Sequence, residues 1–209
     1  MIESILFWLA AAAVAGFSLA FVELARGGRT LRQLHLLPPA DPASMPSVSI
    51  VIAARNEERG IEPALRSVLR QQGERIEVVA VDDRSDDSTG AILDRMAAED
   101  PRLHVVHVTD LPAGWLGKNH ALWLGARAAR GELLLFTDAD VVMSPDTVLR
   151  AAAYVEREGL DFLAAAPRVI MPGILLQTFG VVFTIFFSLF TRPWKARDPR
   201  SPAHIGIGA

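Results

Sequence analysis

The sequence predicts an α/β domain, a mainly parallel sheet covered by helices, carrying an apolar helix at each end. Three observations lead there. Short apolar runs alternate with stretches of helical spacing from residue 48 to 165, the pattern of right-handed crossovers in a parallel sheet. The polar clusters that follow these runs fall at their carboxyl ends, where open α/β sheets bind ligands. Finally, residues 5–24 and 174–191 are almost free of charge.

Composition bounds the reading. The chain has 209 residues, 51% of them hydrophobic, and a formal charge of −3. Its mean hydropathy of +0.28 is high for a soluble domain and its pI is near 6.0. That length can bury a full core. No basic stripe supports a nucleic-acid partner. The chain has no cysteine, which excludes disulfides, thiolate catalysis and a Cys-built zinc site.

Taken in order, Ile5 to Leu24 reads as a membrane anchor within a segment 1–25, since roughly 20 apolar residues cross a bilayer. No basic region precedes it, as a signal peptide would require. Arg26, Arg29 and Arg32 follow directly, which places the downstream chain on the cytoplasmic side of the cell (inner) membrane. Residues 26–46 are expected to be a basic and Pro-rich linker, with four prolines between His35 and Pro46. The main domain is expected over 47–170. Its predicted strands are Val48 to Ala53, Ile76 to Val81, Leu103 to Val108, Leu133 to Thr137 and Leu160 to Ala165. Helices are expected over Ile61 to Gln71, after Thr89 to about Ala98, over Leu116 to Arg130, and from Pro145 to about Arg157 with Ser144 as N-cap.

The fourth strand reads as buried on both faces, because Leu133 to Thr137 shows no polar alternation. Asp138 and Asp140 follow it. Residues i and i+2 of an extended chain share a side, so two carboxylates face one spot, and a hard divalent cation such as Mg2+ or Mn2+ would relieve their repulsion. A DxD of this kind also fits a solvated loop. It does not stand alone, however. Asn56, Glu57 and Glu58 follow strand one, and Asp82 and Asp83 follow strand two, so three acidic or polar clusters share one rim.

With these clusters in order, the chain resembles the inverting family 2 glycosyltransferases of the GT-A (Rossmann-like) fold. The resemblance rests on VSIVIAARNEE from Val48, VVAVDDRSDDST at 78–89 and ELLLFTDAD at 132–140, and covers roughly 46–168. The GWLGKNHA segment at 114–121 is similar to the membrane-bound branch acting on lipid acceptors, such as hopanoid-associated and carotenoid glycosyltransferases. The resemblance implies a nucleotide-sugar donor, a UDP-sugar by expectation, held by Ala54, Asn56, Glu57, Asp82, Asp83, Lys118 and Asp138. Asp83, with Asp82 beside it, would accept a hydrogen bond from the base, and Glu57 would meet the ribose. Asp138 and Asp140 would hold the divalent cation on the diphosphate, with Lys118 nearby. It also implies a metal-dependent transfer to a lipid acceptor at the cytoplasmic membrane face.

The same family places its general base in an acidic motif downstream of the DxD. After Asp140 the chain offers Asp146, Glu156, Glu158, Asp161 and Asp198, none of which suits that place. The base is therefore expected beyond Ala209, and 171–209 is expected to hold the start of an acceptor region that the chain does not complete.

Two other classes remain open. LLLFTDADVV fits the first motif of haloacid-dehalogenase-type phosphatases with Asp138 as nucleophile, although that family wants a later lysine and paired acids. A non-catalytic, nucleotide-sugar-binding membrane protein is the other. A sugar nucleotidyltransferase would need a glycine-rich loop after strand one, which ARNEERG does not supply. At the carboxyl end, Ile174 to Thr191 is apolar, and Arg192, Trp194, Lys195 and Arg197 follow. Basic and aromatic flanks of this kind suit a helix lying at the membrane surface better than a second span. Residues 202–209 form a glycine-containing tail.

Overall fold

Four strands form the sheet of the computed structural model, which describes residues 1–198 and 200–202. They are β1 (Val48–Ala54), β2 (Ile76–Asp83), β3 (Leu103–Val108) and β4 (Leu133–Asp138), and all pair in parallel in the order β3-β2-β1-β4. The helices are α1 (Ile2–Gly28), α2 (Ile61–Leu69), α3 (Thr89–Glu99), α4 (Gly117–Ala128), α5 (Thr147–Glu158) and α6 (Ile174–Thr191). The chain divides into two compact units. One runs from Leu34 to Ala165, and the other joins Met1–Gln33 to the segment that begins at Ala166.

Period-two alternation sorts the side chains of the central strands onto two faces. Ile50, Ile52, Val78 and Ala80 meet Ile61, Leu65 and Val68 of α2, Leu93 and Met96 of α3, and Val148, Leu149 and Ala152 of α5. On the other face, Val79 and Val81 meet Ala121 of α4. A Cβ on Gly125 of α4 would stand 2.4 Å from Val51 Cγ1 and 3.1 Å from Val81 Cγ2. Glycine at this position lets the helix axis lie close against β1 and β2.

Strand order reverses at β1: the chain runs outward through β2 and β3, then returns to lay β4 on the other side of β1. The carboxyl ends of β1 and β4 therefore flank a crevice that no crossover fills.

The structure differs from the sequence expectations in four places. β4 is not buried on both faces. Among the described residues it pairs only with β1, and on the α4 side Leu134 is 45% and Phe136 43% exposed. The predicted fifth strand at 160–165 is absent, and residues 162–172 have no regular structure. Gly159 at φ 59° ends α5 with a left-handed turn, and two of the six residues that follow are alanines, which strands disfavour. Ser144 is not the N-cap of α5. The cap is Asp146, without a side-chain bond, and the Val148 N–H donates instead to Gln71 Oε1 at 3.1 Å. Nor is the proline-rich stretch before β1 a free linker: Met45 is buried in the core, the Ala40 N–H donates to the Leu149 carbonyl at 3.2 Å, and the Arg150 guanidinium donates to the Leu37 carbonyl. Of the expected tail, residues 203–209 lie outside the described residues.

In the other unit, Glu23 near the end of α1 pairs with Arg192 at 3.3 Å and Lys195 at 3.7 Å, and Gly27 lies against the Trp194 ring. The carboxyl ends of α1 and α6 thus meet.

His107 of β3 bridges two acids, with Nδ1 at 3.0 Å from Asp82 and Nε2 at 2.9 Å from Asp94 of α3. Those two carboxylates, Asp94 first, push its pKa above the ordinary value. A histidine whose pKa is higher folded than unfolded stabilises the fold fully below the unfolded value, about 6.5. That contribution is lost as pH rises through the folded value. His107→Gln should therefore lower the melting temperature more at about pH 5.5 than at about pH 9; equal losses at both would contradict the bridge. Gly125→Ala should destabilise the domain by about 1–3 kcal/mol, because its Cβ overlaps Val51. Chemical denaturation of the variant checks this, and unchanged stability would mean that α4 does not need the close approach.

Candidate active site

The loops after β1 and β2 hold each other. The Asn56 N–H donates to Ser85 Oγ at 3.0 Å, and Asn56 Oδ1 accepts from the Asp86 N–H at 2.8 Å. Glu57 N–H donates to Thr89 Oγ1 at 2.8 Å, Glu58 N–H to Asp87 Oδ2 at 3.2 Å, and the Ser88 N–H to Glu58 Oε2 at 3.2 Å. Asn56 adopts φ 56° and Arg84 φ 57°, a left-handed conformation that asparagine tolerates and arginine rarely takes. Much of the polar content of the two motifs is therefore spent on the loops themselves.

A cavity of about 380 Å³ opens at the switch point between these loops and the end of β4. Its lining comes from Ala53, Ala54, Arg55 and Glu57 after β1, Asp83 at the end of β2, Gly117 and Lys118 at the start of α4, and Asp138, Ala139 and Asp140 after β4. Of the residues expected from the sequence, Ala54, Glu57, Asp83, Lys118, Asp138 and Asp140 meet here. Asn56 and Asp82 do not line it. Adjacent strand residues point to opposite faces, so Asp83 turns toward α4 while Asp82 turns toward α3, where it accepts from the Ser85 N–H at 3.2 Å and contacts His107.

Asp83 is held firmly. It is buried, and the Arg84 guanidinium donates to both of its oxygens, at 2.8 and 3.2 Å. A Cβ on Gly117 would come within 2.5 Å of Asp83 Oδ2, so α4 begins against this carboxylate. Arg84 and Gly117 were missed by the sequence reading. Gly117 had a signal, as the glycine before Lys118 at a helix start; Arg84 had none, because its position depends on a backbone turn.

The cavity is crowded with negative charge. Burial first, then the charges of Asp140, Asp138 and Asp87, raise the Glu57 pKa, with Lys118 opposing them. Lys118 Nζ pairs with Asp138 Oδ1. The first turn of α4 has no side-chain cap, and its free N–H groups favour an anion.

These features fit a divalent cation. Asp138 and Asp140 both line the cavity, and after burial their charges are the next causes of the raised Glu57 pKa. Among the described residues no group of three His, Cys, Asp or Glu side chains is close enough to hold a metal unaided. Two carboxylates would leave the rest of such an ion's shell to ligand oxygens, which is how Mg2+ is commonly bound.

His120 of α4 is buried. Its ring lies 5.3 Å from that of Trp115 and 6.1 Å from that of Trp123, and its Nδ1 has no hydrogen-bond partner.

The chain matches known proteins over part of its length. It is 39% identical over 107 residues to a 4,4'-diaponeurosporenoate glycosyltransferase of Staphylococcus haemolyticus, which is 50% of this chain and 27% of that protein. It is 34% identical over 117 residues to a beta-monoglucosyldiacylglycerol synthase of Trichormus variabilis, 55% of this chain and 25% of that one. The chain therefore spans about a quarter of the length of these relatives. Among solved structures, it resembles a mannosyltransferase from Pyrobaculum calidifontis in complex with GDP-Man and Mn2+, with a TM-score of 0.57 and 30% identity over 70% of this chain and 42% of that one. Residues 49–204 match the family described as Glycosyl transferase family 2. This match sets aside the phosphatase alternative for Asp138, and the chain belongs to glycosyltransferase family 2.

Proposed function

We propose that this domain binds a nucleotide-diphosphate sugar in the cavity at the β1/β4 switch point and serves its transfer, with inversion, to a lipid acceptor at the cytoplasmic face of the cell (inner) membrane. The observation that carries the reading is the meeting of Glu57, Asp83, Lys118, Asp138 and Asp140 in one cavity. Asp83, fixed by Arg84, accepts a hydrogen bond from the base. Glu57 meets the ribose; its raised pKa leaves it better able to share a proton with a hydroxyl. Lys118 exchanges its pairing with Asp138 for the diphosphate, aided by the open amino end of α4. Asp138 and Asp140 would hold the divalent cation, Mg2+ or Mn2+, which would supply positive charge against the leaving diphosphate. The solved relative that carries GDP-Man and Mn2+ supports this assignment.

Inverting transfer forms a bond from the acceptor oxygen to the anomeric carbon as the bond to the diphosphate breaks, and a carboxylate takes the acceptor proton. Among the described residues after Asp140 no carboxylate lines the cavity. Asp146 pairs with Arg150 at 2.6 Å and Glu158 with Arg157 at 3.4 Å. We assign the base to none of them. The names of two relatives refer to diaponeurosporenoate and diacylglycerol, which supports an apolar acceptor.

The membrane reading rests on α1 and α6, each long and apolar enough to cross a bilayer by length and composition. With 27 residues, α1 is about 40 Å long, enough for a hydrocarbon core of about 30 Å. If α1 spans with its carboxyl end in the cytoplasm, the contacts of Glu23 and Gly27 with Arg192, Lys195 and Trp194 put the carboxyl end of α6 on that same side. A carboxyl end of α6 at that face, followed by Arg192, Trp194, Lys195 and Arg197, fits a helix at the interface.

Asp138→Asn and Asp140→Asn keep size and remove charge. Each should weaken metal-dependent binding of the nucleotide diphosphate at least about tenfold, or ~1.4 kcal/mol. Calorimetric titration with UDP and GDP, with and without Mg2+ or Mn2+, measures this and distinguishes the nucleotides; unchanged affinity in both variants would sink the site. For topology, a cysteine introduced at Asp41 should resist a membrane-impermeant reagent in intact cells and react after permeabilisation. Labelling from outside would reverse the orientation.

A further inference from the structure

The outer side of α4 and the loop before it leave large apolar groups uncovered. Leu116 is 72% exposed, Trp123 42% and Trp115 39%. The two indoles stand 5.4 Å apart, tilted at 41°, with His120 packed against both. The Arg127 guanidinium lies over the Trp123 ring at 5.0 Å and has no salt-bridge partner among the described residues. From Leu111 to Gly131 the sequence contains no acid; its charges are Lys118, Arg127 and Arg130. The buried, unpartnered Nδ1 of His120 shows that the aromatic stack is kept at the expense of an unsatisfied polar atom.

We propose that this face, formed by Trp115, Leu116, Trp123 and Arg127, seats the domain on the headgroup layer of an anionic bilayer. The proposal rests on the lipid-acceptor reading above. Indoles have an apolar body and one polar N–H, and they collect at the boundary between headgroups and hydrocarbon. A leucine beside them enters the acyl boundary, while an arginine lays its stem along the apolar surface and keeps its charge in the headgroups. Arg127, the cation of this face, is complementary to anionic lipid. A second copy fits less well, since a two-fold contact of this face would bring Arg127 toward its own copy. Seating here has a consequence for the cavity. Leu116 directly precedes Gly117 and Lys118, which line it, so the mouth opens within about one helical turn, about 5 Å, of the lipid surface. An acceptor hydroxyl at headgroup depth could then reach the donor without its chain leaving the membrane.

The absence of cysteine allows a direct test on the full chain in nanodiscs containing phosphatidylglycerol. Nitroxide labels are placed singly through Leu116→Cys, Trp123→Cys and Arg127→Cys, with Glu99→Cys on α3 as the control on the other side of the sheet. At 116 and 123, collisions with oxygen should exceed those with a water-soluble nickel chelate several-fold more than at 99. The preference should weaken in phosphatidylcholine-only discs, and also when Arg127→Glu is added to the label at 116. The label at 127 leaves the aromatic stack intact and should read headgroup depth even if a cysteine at 123 disturbs folding. Labels at 116, 123 and 127 as water-exposed as that at 99 would overturn the proposal. So would exclusion of both reagents that grows with protein density, the sign of a second copy. Donor binding on the same preparations separates the two readings: lipid contact without donor binding defeats the proposed activity, whereas donor binding with aqueous labels defeats this surface alone.

Discussion

The cavity depends on the mutual bonding of the loops after β1 and β2. Each loop alone is a short turn leaving a strand, with backbone donors that would otherwise face water. Together they exchange side-chain to backbone hydrogen bonds through Asn56, Glu58, Ser85, Asp87 and Thr89. Each such bond contributes about 0.5–1.5 kcal/mol net. Because the partners lie on different strands, the bonds also fix the distance between the strand ends. Glu57 and Asp83 are the side chains these loops leave facing the cavity, and their placement follows from the neighbours that do not.

A second constraint is electrostatic. Bringing Glu57, Asp138 and Asp140 around one space is unfavourable in the absence of compensating charge, and the Glu57 pKa is raised first by burial and then by the neighbouring carboxylates. Lys118 offsets part of it by pairing with Asp138. The pair is half exposed, so its worth to stability is small. In the proposed function its meaning is chemical: the same ammonium that quiets Asp138 would turn to the donor's diphosphate. The start of α4, drawn close to Asp83 by Gly117, adds fixed dipoles on the same side.

Much of this was legible beforehand, because β1 to β3 and α2 to α4 obey simple periodicities and each ends within two residues of its expected limit. What escaped was set by partners distant in sequence. The start of α5 is satisfied by Gln71, 77 residues earlier, so local capping rules pointed to the wrong residue. The run LLLFT reads the same on a central strand or an edge strand, and only the sheet order shows that β4 has one neighbour among the described residues. The pair Asp82-Asp83 could be seen to divide between two faces, but which aspartate meets the cavity depends on where α3 and α4 lie. The burial of His120 depends on two tryptophans, at i−5 and i+3, that pack against its ring.

The edge position of β4 gives its acids a further role. An open strand edge bearing Leu134 and Phe136 is a template for pairing with another chain, and such edges are commonly guarded by charge. Here Glu132 stands at one end of the apolar run and Asp138 and Asp140 at the other. A second strand attempting to pair would have to bring its own charge against theirs. These carboxylates are thus gatekeepers against aggregation as well as candidate ligands, and the pressure to keep the protein soluble and the pressure to keep the cavity acidic fall on the same few atoms.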